Sequence, residues 1–309
     1  MKKLALLFPG QASQKVGMGK EFYENSSQAK EIFTKADQVL GYKISDLCFK
    51  GPEEELILTE NTQPALLVVS TIAFQLLGVN PLIAAGHSLG EYSSLVAAGC
   101  LSFEDALVLV HKRGRYMQEA VPVGTGAMAA LLGAPYEKVE KTLKDLKTGV
   151  VEIANWNSQN QIVISGEKEA VQKAVDAVQA LKAVMLPVSA PFHCQLMIGA
   201  QKKLSYDLDQ VEFKDLKFPI ITNVDAEVIT DGDSAREALK KQVSQGVQWY
   251  RSMQVLKEKK IDTIAELGSG KVLSGLMKRI SRRWEARPTI INVEDNQSLQ
   301  KAQQVLGVD

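Results

Sequence analysis

Short apolar runs alternate with longer stretches of helical periodicity along the first third of the chain. The run "LALLF" at 4–8 is apolar throughout and closed by Pro9 and Gly10, which reads as a strand buried on both faces. Helical patterning follows to about Leu40 and again over 64–77, where Pro64 takes the favourable first position of a helix. A short strand is expected at 82–85, a helix directly after Ser88 and a long helix over 103–120. Alternation of this kind implies an α/β fold with a parallel sheet covered on both faces.

The rhythm changes at "VPVGTGAM", 121–128, where proline and glycines mark a boundary. Beyond it the order is strand 128–132, helix 135–146, strands 150–156 and 161–165, helix 168–181 and strand 183–186. That βαββαβ succession is the ferredoxin-like split motif. A small subdomain at 124–190 is therefore expected to interrupt a large one built from 1–123 and 191–309. Alternation resumes after Pro191 with strand-like runs at 218–224 and 261–267 and a helix over 271–280, leaving a cleft against the insertion.

At 309 residues, 45% of them hydrophobic, the chain has material for a sizeable core and for two structural units or one domain with an insertion. Lys plus Arg and Asp plus Glu both total 36, so no global field recruits nucleic acid or an anionic membrane. The three cysteines, Cys48, Cys100 and Cys194, have unrelated spacings and read as reduced thiols of a cytoplasmic protein. "MKKLALLFPGQ" begins like a signal peptide, but its apolar part stops at Phe8. No run approaches the ~20 apolar residues of a membrane span.

"GHSLG" at 86–90 fits G-x-S-x-G, in which the glycines let a strand turn sharply into a helix and expose the serine hydroxyl. Ser88 would then stand at a helix N-terminus, with the Leu89 amide free to face an oxyanion. A serine nucleophile needs a base, and the histidines are His87, His111 and His193. His87 adjoins the nucleophile and should point away from it; His111 lies in the long helix beside Lys112. His193, in the proline-bounded loop "PVSAPFHC", is the candidate base, with a structural histidine as the alternative.

No triad acid presents itself. Glu137, Glu140, Asp145 and Asp176 fall on exposed helical faces, so a dyad in which a main-chain carbonyl orients the histidine stays open. Arg113 lies three residues after Val110 and four before Met117, turned to the apolar face of its helix. It snorkels to solvent, meets a structural acid or captures a substrate carboxylate. "GSGKV" at 268–272 lacks the spacing of a phosphate loop, and "GTGAMA" at 124–129 precedes its strand instead of following it. Nothing supports a metal site.

In this order "FPGQASQ", "TQPA", "GHSLGEYS", "RGRYMQEAVPVGTGAM", "NWNS", "PFH", "VQW" and "ELGSGKVL" resemble the bacterial malonyl-CoA:acyl carrier protein transacylase family across nearly the whole chain. The resemblance implies a hydrolase-like large subdomain with a ferredoxin-like small one. It also implies malonyl transfer from malonyl-CoA to the phosphopantetheine thiol of acyl carrier protein, for fatty acid elongation, by a monomer without a cofactor of its own. Ser88 would be nucleophile and His193 base, the latter oriented by the carbonyl of Gln248. The amides of Gln11 and Leu89 would form the oxyanion hole, and Arg113 would hold the malonyl carboxylate. Substrate would lie near His87, Asn155 and Asn157, with Phe192 narrowing the pocket by analogy with malonyl-selective polyketide acyltransferases. Carrier proteins are acidic, and the densest basic run, "KRISRRWEAR" at 278–287, makes Lys278 and Arg279 the docking expectation, with a solvated helix end as the alternative. A polyketide or polyunsaturated fatty acid assembly-line acyltransferase and an acyl hydrolase are the rival readings.

Overall fold

The computed structural model describes residues 2–308 except Val123, Thr148 and Ser189. Its strands are β1 (Leu4–Phe8), β2 (Ile83–Gly86), β3 (Gly126–Leu132), β4 (Val151–Ser158), β5 (Gln161–Glu167), β6 (Lys182–Met185), β7 (Ile220–Ile221), β8 (Val228–Ile229), β9 (Thr263–Leu267) and β10 (Thr289–Val293). They form a large sheet in the order β10-β9-β1-β2-β7-β8 and a small one in the order β4-β5-β3-β6. Every pairing in the large sheet is parallel except the edge pair β7 and β8.

The centre of the large sheet explains the unbroken apolar run of β1. Successive strand residues face opposite sides, so Leu4, Leu6 and Phe8 join one core while Ala5 and Leu7 join the other. Burying each large side chain here contributes roughly 1.5–3 kcal/mol. With helices on both faces, no position in β1 is left for a polar residue.

The helix expected at 64–77 spans Thr59–Leu77, with Pro64 in its interior. Proline has no N–H to give to the carbonyl four residues earlier, that of Glu60. His111 Nδ1 donates to this carbonyl at 3.0 Å, which offsets the lost helical bond and gives His111 a structural role. The run 218–224 is likewise shorter as a strand than its composition suggests. After Ile221 the chain turns, Thr222 N–H bonding the Glu227 carbonyl, and Asn223 is released to reach the Ser88 region.

The small sheet is antiparallel with the strand order of a ferredoxin-like fold. One face, through Ala127, Ala129, Leu131, Ile162 and Ile164, packs on the helices Tyr136–Asp145 and Lys168–Val178. The other, through Met128, Ala130 and Val163, joins the main core. Its edge strand β4 is stitched to the large subdomain: Trp156 N–H bonds the Val247 carbonyl at 2.9 Å, and Val247 N–H the Ala154 carbonyl at 2.8 Å. A cleft thus opens between the sheets, beside the C-terminal ends of β1 and β2. Among the described residues no helix is long and apolar enough to cross a membrane.

Candidate active site

The strand β2 passes into the helix Leu89–Ala97 through Ser88, whose backbone has φ 51° and ψ −108°. The turn is possible only because two glycines touch. A Cβ on Gly86 would lie 1.8 Å from the carbonyl carbon of Gly90, and one on Gly90 would lie 2.0 Å from the Phe8 oxygen. A backbone held in this region costs about 1–3 kcal/mol, and bonds from both sides maintain it. Ser88 N–H donates to Asn223 Oδ1 at 2.7 Å, and the Ser88 carbonyl accepts from Gln242 Nε2 at 3.0 Å.

His193 meets the nucleophile. Its Nε2 lies 2.8 Å from Ser88 Oγ, and its Nδ1 lies 2.9 Å from the Gln242 carbonyl oxygen. A carbonyl only accepts, so Nδ1 carries the proton and Nε2 is free to take one from the serine. Burial, then the nearby Arg113 cation, pushes the His193 pKa down to about 3. The ring is therefore a neutral base, and a main-chain carbonyl stands where a triad acid would.

That carbonyl belongs to Gln242, not to Gln248 as the resemblance implied. Gln248 precedes the helix Trp249–Glu258, and its carbonyl already accepts the Ser252 N–H at 3.0 Å. Gln242 ends the helix Gly232–Gln242. Carbonyls of a last turn lack helical partners, which leaves this one available to the histidine.

Arg113, in the helix Phe103–Glu119, is 1% exposed. It donates through one terminal nitrogen to Gln63 Oε1 at 2.7 Å, and through the other to Gln242 Oε1 at 2.9 Å and Ser88 Oγ at 3.1 Å. None of these acceptors is charged. Burial lowers its pKa, yet a guanidinium remains protonated in proteins, so a positive charge without an ion pair among the described residues stands at the nucleophile. Close approach of its helix to the one beginning at Thr59 depends on Gly114, where a Cβ would lie 2.5 Å from the Glu60 Cα.

A cavity of about 140 Å³ opens onto Ser88, lined among others by Gln11, His87, Leu89, Arg113, Asn155 and Phe192. Leu89 is the first residue of its helix, so its amide has no helical acceptor. Gln11 follows β1 in a loop pressed against the elbow, since a Cβ on Gly10 would lie 2.4 Å from the His87 carbonyl oxygen. Asn157 stands behind this lining, its Oδ1 accepting from His87 Nε2 at 2.8 Å. Lys278 and Arg279 are exposed near the end of the helix Val272–Ile280 and do not line the cavity. The apolar wall of Met117, Met128, Leu186 and Val188 escaped the sequence reading, because such residues carry the same signal in any core. Gln63 lay within the quoted "TQPA" without being singled out.

Fold and relatives together define an acyltransferase. The chain belongs to the acyl transferase domain family, whose model matches residues 5–282. It is 46% identical to the malonyl CoA-acyl carrier protein transacylase of Bacillus subtilis (strain 168), over 99% of this chain and 98% of the relative. The acyl-carrier-protein-S-malonyltransferase of Bartonella henselae superposes with a TM-score of 0.95 at 40% identity, covering 100% of both chains. A malonyl-transacylase solved in complex with its type II PKS acyl-carrier protein gives 0.94 at 40% identity, covering 98% of this chain and 100% of that one.

Proposed function

We propose that the protein moves the malonyl group of malonyl-CoA onto Ser88 and from there onto the phosphopantetheine thiol of an acyl carrier protein, supplying fatty acid elongation. The observation that carries this reading is Arg113, a buried cation bound only by neutral acceptors beside the serine. An acyl group ending in a carboxylate supplies the missing charge.

His193 Nε2 takes the Ser88 proton as Oγ attacks the thioester carbon, and the oxyanion is received by the amides of Gln11 and Leu89. The carbonyl re-forms, the C–S bond breaks, and the CoA thiolate takes the proton from His193. The carrier thiol then gives its proton to His193 and attacks the ester, and His193 passes that proton to Ser88 Oγ as it leaves. No redox change occurs, so this route calls for no cofactor of the protein itself. Arg113 lowers the basicity of His193. A bound carboxylate offsets that cation and so favours the imidazolium formed in each half-reaction, an advantage an acetyl group lacks.

The free, buried cysteines accord with a cytoplasmic setting, and the exposed cations Lys278 and Arg279 are the proposed docking contacts for an acidic carrier. The test is CoA release from malonyl-CoA with and without carrier protein bearing a free phosphopantetheine thiol. Multiple turnovers that require the carrier support transfer, and equal turnover without it would assign a hydrolase instead.

A further inference from the structure

Glu91 lies one turn beyond the nucleophile, 1% exposed, and no part of the mechanism above uses it. Its Oε2 accepts from Gln242 Nε2 at 2.5 Å and from the Asn223 N–H at 3.3 Å, while Oε1 has no partner among the described residues. Burial without an ion pair is costly for a carboxylate, and here it pushes the carboxyl up to about 7. A side chain kept at such cost invites a question about what it holds.

Both residues anchored on Glu91 hold the strained serine. Asn223 Oδ1 takes the Ser88 N–H, and Gln242 Nε2 gives to the Ser88 carbonyl. Gln242 also accepts from Arg113 through Oε1 and from His193 through its main-chain oxygen. The two ends of a glutamine amide are nearly alike in shape but opposite in hydrogen bonding. Rotating the Gln242 amide by half a turn would aim its NH₂ at the guanidinium. An acceptor at Glu91 Oε2 fixes the NH₂ on the Glu91 side and the oxygen on the Arg113 side.

We infer that Glu91 is a positioning residue of the transfer reaction: through Gln242 and Asn223 it sets the Ser88 backbone and the direction in which Gln242 meets Arg113. It touches no reacting atom. A proton can reside on Oε1 and leave Oε2 an acceptor, so the role requires an acceptor at one place and not a charge.

The inference rests on malonyl transfer as the reaction. Its test is single-turnover acylation of Ser88 by malonyl-CoA and, separately, acetyl-CoA, with rates expressed per folded molecule by near-UV circular dichroism. Displacing reacting groups by about 1 Å can cost on the order of 100-fold. Glu91→Ala should therefore slow malonyl acylation at least roughly tenfold and reduce the preference for malonyl over acetyl. Glu91→Asp keeps the carboxyl but is one methylene short, and should behave like the alanine variant. Glu91→Gln keeps an acceptor at the Oε2 position and should stay within about threefold of the wild type. If the alanine variant does not fold, the Asp and Gln variants decide. Wild-type rate and preference in Glu91→Asp would overturn the inference, as would a glutamine variant as slow as Glu91→Asp. Absence of acylation in the wild type would instead count against malonyl transfer itself.

Discussion

Arg113 donates a hydrogen bond to Ser88 Oγ across 3.1 Å, so the cation proposed to select the acyl group also touches the atom that attacks it. On that proposal, recognition of the acyl group and contact with the nucleophile share one side chain. Arg113→Ala should lower kcat/KM for malonyl-CoA by about 30-fold or more, since truncating one partner of a buried charged pair costs about 2–5 kcal/mol. Acetyl-CoA, having no carboxylate to pair, should lose less. Steady-state kinetics with both thioesters checks this, and an unchanged malonyl to acetyl ratio would contradict the clamp.

The depressed His193 pKa makes a pH prediction with a definite sign. In the proposed mechanism the neutral ring is the base, so its protonation on acidification should remove activity. Burial and Arg113 place that protonation at about 3 instead of the ordinary 6.5. The kcat/KM profile should therefore stay level as pH falls through 6.5 and descend only in the strongly acid range. An acid limb centred near 6.5 would show that His193 is more solvated than this structure has it.

The elbow glycines predict a stability effect independent of chemistry. A methyl group on Gly90 would lie 2.0 Å from the Phe8 oxygen, a contact with main chain that no rotamer relieves. Gly90→Ala should destabilise by at least the ~1–3 kcal/mol usual for overpacking, read as a lower denaturant midpoint.

The Gln242 contact separates side chain from main chain. Gln242→Ala keeps the carbonyl that orients His193 but removes the oxygen that meets Arg113 and the NH₂ that meets the Ser88 carbonyl. Malonyl transfer should fall by about 1–3 kcal/mol, roughly 5- to 150-fold, for the buried partners left unsatisfied. The acid limb assigned to His193 should stay where it is. A limb moved toward 6.5 would mean that the side chain, not the carbonyl, tunes the base.

What was legible in the sequence follows where the physics is local. Gly86, Ser88 and Gly90 announce the elbow because a tight strand-to-helix turn tolerates little else, and β1 announces itself by having no polar position. The orienting carbonyl is a different matter, since every residue has one. Choosing Gln242 over Gln248 depends on which carbonyl a helix leaves unused, and that requires the helix ends. Pro64 misled for a similar reason: a proline looks like a helix start until His111, distant in sequence, is seen to occupy the carbonyl it frees. Glu91 did leave a trace. It is the lone charged residue in "GHSLGEYSSLVAAG", where an acid has no solvent to face.

The most direct test of transfer through Ser88 is mass spectrometry of the protein mixed with malonyl-CoA, before and after adding acyl carrier protein whose phosphopantetheine thiol is free. One malonyl group should appear on the peptide carrying Ser88 and none in Ser88→Ala, and it should be lost to the carrier thiol far faster than to water. A malonyl group on another residue, or one released to water as quickly as to the carrier, would contradict transfer through Ser88.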